Sequence, residues 1–124
     1  MKNNFLALLF LLAAILPGPL PAQNTKATGL YQIGKKNYDD EKYPEAIKIL
    51  SEAVKTSPKY EDALYYLAGS YYYNSNYDEA IDILEKLEKV NSDYWPHSYY
   101  WWGQCYFYKN DLDNMKSKFE VFLK

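Results

Sequence analysis

The chain has 124 residues, enough for one modest domain, and its 14 basic residues, all Lys, stand against 16 acidic ones for a net charge of −2. That balance argues against a nucleic-acid partner and against a polybasic membrane-surface patch, both of which need clustered positive charge. One Cys, Cys105, leaves nothing for an internal disulfide or a Cys-based zinc site.

In chain order, the first segment reads as a targeting sequence. Lys2 precedes a continuous apolar run, Phe5 to Leu16, which is short of the ~20 residues a spanning helix needs. "PGPLPAQ" then breaks it, and residues 1–22 are predicted to be a signal peptide cleaved after Ala22; the alternative is an uncleaved anchor. The product is expected to be exported, to the periplasm, the cell envelope or the medium. No Cys follows the run, so a lipid anchor is not expected. Residues 23–26 are read as a short linker.

From residue 27 the chain repeats itself. Tyr43, Ala46, Ile47, Leu50 and Ala53 recur 34 residues later as Tyr77, Ala80, Ile81, Leu84 and Leu87. Upstream, Leu30, Ile33 and Gly34 recur as Leu64, Leu67 and Ala68. A third copy follows one residue late, with Trp95 as the extra residue: Tyr99, Trp102, Gly103, Tyr106, Leu112, Met115, Phe119 and Phe122. A period of this size marks stacked supersecondary units, here 27–60, 61–94 and 96–124. Apolar residues at helical spacing make each unit two helices, joined by turns such as "DEKYP" and "NSNYD". Pro58 ends the first unit, and Pro96 suits the first turn of a helix. Gly34, Ala68 and Gly103, with Ala46 and Ala80 opposite, are small because a bulky residue there would separate the helix axes. Leu30, Ile33, Leu64, Leu67, Tyr99, Trp102 and Tyr106 are the predicted core stripe.

These residues resemble the tetratricopeptide repeat (TPR) family, whose pattern runs large residue, Leu-Gly, Tyr, Tyr-x-x-Ala, aromatic or Leu, Ala, Pro. The first unit matches at Leu30, Ile33-Gly34, Tyr43, Ala46, Leu50, Ala53 and Pro58 and departs at Asn37. The second matches at Leu64, Leu67-Ala68, Tyr71, Tyr77, Ala80 and Leu84 and departs at Leu87 and Ser92. The third matches at Tyr99, Trp102-Gly103, Tyr106 and Phe119 and departs at Leu112, Met115 and Phe122. The resemblance implies an all-α fold: a right-handed superhelical α-solenoid of about three helix pairs, with the first helices lining a concave groove. It also implies a binding function.

A second stripe on each first helix would face that groove: Tyr31, Lys35 and Tyr38; Tyr65, Gly69 and Tyr72; Tyr100, Gln104 and Phe107; with Tyr73 and Tyr108 extending it. Tyr offers large contact area with few torsions and a polar tip, so Tyr31, Lys35, Tyr38, Tyr65, Tyr72, Tyr73, Tyr100, Gln104, Phe107 and Tyr108 are the candidate partner-binding residues. The alternative is that the rings pack between adjacent first helices. Some TPR domains hold a peptide's terminal carboxylate with Lys and Asn; the pairs Tyr31 and Lys35, Tyr65 and Gly69, Tyr100 and Gln104 do not form that clamp. His97 and Cys105 have no placed partner, and the acidic turns lack calcium-loop spacing, so no catalytic residue, metal or cofactor is expected. The reading is a non-catalytic scaffold for a protein or peptide partner. Its alternatives are a carbohydrate-contacting module and the N-terminal scaffold of a longer envelope protein. Met115, Phe119, Phe122, Val121 and Leu123 make the C-terminal edge apolar, open to a partner or to self-association.

Overall fold

The computed structural model describes residues 22–91 and 96–124, so the predicted signal segment lies outside the described residues up to its final Ala22. Among these residues six helices follow one another: α1 (Ala22–Asp39), α2 (Tyr43–Thr56), α3 (Glu61–Tyr73), α4 (Tyr77–Val90), α5 (Pro96–Tyr108) and α6 (Leu112–Phe122). Residues 23–26, read above as a linker, run continuously within α1.

The helices pair as α1 with α2, α3 with α4 and α5 with α6, and each pair packs on the next through α2·α3 and α4·α5. The first helices also pack in sequence, α1 on α3 and α3 on α5, whereas among the described residues the backbones of α2, α4 and α6 make no comparable approach to one another, and α6 reaches α4 through the long Lys118–Glu88 ion pair at 3.9 Å. The stack is therefore tightest on the first-helix side, which makes that side the inner face of an all-α solenoid.

The predicted close approaches are present. A Cβ on Gly34 would lie 2.5 Å from Leu50 Cγ, and one on Gly103 2.5 Å from Phe119 Cε1. Ala46, Ala68 and Ala80 are fully buried beside Leu50, Leu64 and Leu84. Carboxylates open α2, α3, α4 and α6 (Glu45; Glu61 and Asp62; Asp78 and Glu79; Asp113), where the helix dipole favours negative charge.

The turn inside each pair is the same turn three times. Glu41, Ser75 and Asn110 take φ of 58°, 63° and 58°. Their N–H groups donate to the carbonyls of Tyr38, Tyr72 and Phe107. The next N–H groups, of Lys42, Asn76 and Asp111, donate to Asn37, Tyr71 and Tyr106. This double closure satisfies carbonyls that a helix end leaves free, and it needs a left-handed residue at its corner.

One core assignment is corrected. Ile33 sits at the place of the buried Leu67 and Trp102, yet it is 54% exposed. Leu67 and Trp102 each have a helix pair before them in the stack; Ile33 stands on the first described helix. Around it α1 presents Gln32 and Lys36, where α5 has the buried Trp101 and Cys105. Among the described residues this face of α1 is thus polar, with one apolar residue in it.

Candidate functional site: an interlocked aromatic inner face

The residues expected to line an open groove are brought together on the inner face, but two of the three sets are already occupied. Tyr31 and Tyr38 flank the ring of Tyr66 at centroid distances of 5.9 and 5.1 Å, and Lys35 Nζ lies 5.1 Å over the same ring. One repeat later, Tyr65 and Tyr72 flank Trp101 at 4.8 and 6.2 Å. Gly69 takes the place of Lys35, and a Cβ there would be 2.8 Å from the outer edge of Trp101 and 3.0 Å from Tyr38. Each set of three therefore forms a socket on one first helix, filled by a ring of the next first helix. Trp101 is almost fully buried as a result.

A second contact repeats alongside. Tyr43, opening α2, stacks on Tyr73 at 5.2 Å and 19°; Tyr77, opening α4, stacks on Tyr108 at 4.7 Å and 9°. Offset and edge-on ring pairs add about 0.5–1.5 kcal/mol each beyond their buried area. These contacts fasten one helix pair to the next. Trp101 and Tyr66 were not singled out from sequence. The available signal was their alignment one residue past Tyr65 and Tyr100.

Burial shows in the phenols. It pushes Tyr31, Tyr65 and Tyr72 up to about 12, with nearby acidic groups and phenols adding to it, and it raises Tyr38 further still. Lys35 is instead held charged, chiefly by its 2.6 Å bond to Asp39.

The third set is different. Tyr100 leans on Phe119 and Phe122 of its own pair, at 6.2 and 5.7 Å, while Gln104 is partly buried and Phe107 is 54% exposed. With Tyr73 at 48% and Tyr108 at 55%, Phe107 makes up the large aromatic surface left to solvent on this face.

The remaining titratable groups do not extend the site. Cys105 is fully buried, and burial pushes its thiol up to about 12, the reverse of an activated nucleophile. His97 is exposed at the start of α5, beside Tyr100, Trp101 and Phe122. Among the described residues there is no metal-ligand cluster, and no helix is long and apolar enough to cross a membrane. The indole N–H groups of Trp101 and Trp102 have no hydrogen-bond partner among the described residues. Lys118 Nζ caps the Trp102 ring at 3.5 Å, a cation–π contact.

Family comparison agrees with this architecture. Residues 37–101 match one tetratricopeptide repeat model and residues 97–124 match another. The chain belongs to the tetratricopeptide repeat family. Among solved structures, the second TPR of Spaghetti (RPAP3), bound to the HSP90 peptide SRMEEVD, superposes with a TM-score of 0.76 at 19% identity, over 84% of this chain and 97% of that one. The TPR domain of Arabidopsis FLU gives 0.75 at 14% identity, over 82% and 94%. MamA gives 0.74 at 27% identity, over 81% and 58%. No curated protein matches the chain.

Proposed function

We propose that this TPR chain is a non-catalytic scaffold that binds a segment of a partner protein on its inner aromatic face. The observation that carries the reading is the set of three rings, Tyr73, Phe107 and Tyr108, each about half exposed and held on rigid helices. Aromatic side chains so placed bury large area at small entropic cost. The peptide held by the Spaghetti TPR supports a protein partner. Its carboxylate-ended class is not carried over, because Lys35 is followed by Gly69 and Gln104 at the repeat-equivalent places and itself lies against Tyr66 and Asp39. Sugar stacking needs free ring faces, and the rings of Tyr31, Tyr38, Tyr65 and Tyr72 already pack against neighbours.

Export belongs to the same reading and rests on the apolar run from Phe5 to Leu16 and the "PGPLPAQ" break. Mass spectrometry of the native protein should find Gln23 at its N-terminus.

The binding claim is tested by comparing proteins retained from cell-envelope extract by the chain and by two variants. One carries Tyr73→Ser, Phe107→Ser and Tyr108→Ser; the other carries Lys48→Ala, Lys86→Ala and Glu85→Ala on exposed positions of the second helices. A partner should be lost from the first and kept by the second at a temperature where circular dichroism shows both folded, the first with a lowered melting temperature because Tyr73 and Tyr108 also stack on Tyr43 and Tyr77. Equal retention by all three would refute an inner-face site.

A further inference from the structure

The two filled sockets define what the third one fits. In each, the incoming helix supplies two rings seven residues apart on one stripe: Tyr66 and Tyr73 on α3, Trp101 and Tyr108 on α5. The first ring enters the three-residue socket, and the second stacks on the residue that opens the previous second helix, Tyr43 or Tyr77. On the last pair the equivalent elements are the socket Tyr100, Gln104 and Phe107 and the opening residue Leu112. Here Phe107 is 54% and Leu112 58% exposed, whereas Tyr38, Tyr72, Tyr43 and Tyr77 are all partly buried. The helix beneath is also uncovered: α2 and α4 bury Ala46, Leu50 and Ala53, and Ala80, Ile81, Ile83, Leu84 and Leu87, while every residue of α6 keeps some exposure.

Resting on the reading of the chain as a protein-interaction scaffold, we propose that this third socket receives an amphipathic helix of a partner protein that carries two aromatic side chains seven residues apart. The first ring lies between Tyr100 and Phe107 across Gln104, and the second lies on Leu112. The partner class follows from continuity with the two seams already built on the same pattern. A second copy stacked head to tail does not fit. The helix it would present is α1, which has Gln32 and Asp39 at the two ring positions and Lys36 where Ser70 and Cys105 are fully buried. Residues 1–21 do not fit either, since their aromatics, Phe5 and Phe10, stand five apart.

Gln104 also sets the ring type. Gly69 is the opening that admits the outer edge of Trp101; Lys35, which fills that space, lies over the smaller Tyr66. Gln104 fills it as Lys35 does, so the third socket takes Tyr or Phe in preference to Trp.

The test is a fluorescence-anisotropy titration of the whole chain into a labelled, helix-stapled peptide of the α3 sequence, Glu61–Tyr73. Parallel peptides carry Tyr66→Trp or the pair Tyr66→Ala and Tyr73→Ala. We expect saturable binding, weakened roughly tenfold or more by the double Ala change. We also expect its loss with Leu112→Lys in the chain, an exposed change that leaves the circular dichroism intact. Gln104→Gly should reverse the order of the Tyr and Trp peptides. Binding that ignores either the rings or Leu112→Lys overturns the proposal. So does absence of binding, and so does a concentration-dependent dimer, abolished by Leu112→Lys, which gives the face to a second copy. If the peptide fails but extract proteins are still lost on changing Tyr73, Phe107 and Tyr108, only the socket assignment falls and the scaffold reading stands.

Discussion

Two glycines on the same helix are expected to respond to one substitution with opposite signs. Gly29 and Gly34 both lie inside α1. Nothing approaches within 4 Å of a Cβ built on Gly29, whereas one on Gly34 meets Leu50 Cγ at 2.5 Å and Cδ2 at 2.6 Å. Optimal carbon–carbon contact begins at about 3.5 Å, so the overlap at Gly34 is about 1 Å. Leu50 cannot retreat, being fully buried between the helix pairs. Both changes gain helix propensity, about 0.8–1.0 kcal/mol for Gly to Ala, partly through the unfolded chain. Overpacking at Gly34 adds a cost of about 1–3 kcal/mol. The propensity gain cancels in the difference between the variants, leaving the packing cost alone. In a domain of this size that separates the melting temperatures by on the order of 5–20 °C, with Gly29→Ala above the parent. Thermal unfolding followed by circular dichroism reads it directly. Equal shifts for the two variants would refute the close packing of α1 on α2.

The left-handed corners predict that Glu41→Gly and Ser75→Gly each stabilise by up to about 1 kcal/mol, measured by urea denaturation, because a Cβ is strained at φ near 60°. Trp101→Ala should cost about 3–5 kcal/mol in the same assay, and Phe107→Ala under about 1 kcal/mol, since only the first ring is enclosed. Ultraviolet titration should show Tyr31, Tyr65 and Tyr72 ionising only near 12, above the ordinary phenol value of about 10. The folded values lie above the unfolded one, so the stabilisation is complete below about pH 10 and is lost as pH rises toward 12. Unfolding should follow that window, and uniform titration at 10 with the fold intact would contradict the burial of these rings.

The architecture was legible because packing repeats with the chain. Gly34, Ala46 and Leu50 recur as Ala68, Ala80 and Leu84, and the structure puts each set at a close helix contact. Ile33 was misjudged because periodicity reports a residue's face but not whether a preceding pair exists to cover it. The tyrosine columns lie on the first-helix side, yet the rings that occupy them were not legible. The rings that fill them, Tyr66 and Trp101, align with the polar Gln32 of the leading helix, so that column reads as surface in the first repeat. Its apolar character begins only where a previous helix stands beside it. The left-handed corners were hidden for a simpler reason: Glu41, Ser75 and Asn110 share no side-chain signature, and none is Gly.

The central claim is that the inner-face rings hold the helix pairs together and leave the last socket open. Nuclear Overhauser contacts in isotope-labelled protein test it most directly. The account predicts strong cross-peaks from the outer-edge proton on Cη2 of Trp101 to the Gly69 α-protons and to the ring of Tyr38, the atoms that a Cβ on Gly69 would crowd. A Trp101 ring without those cross-peaks, and readily quenched by a soluble paramagnet, would contradict it.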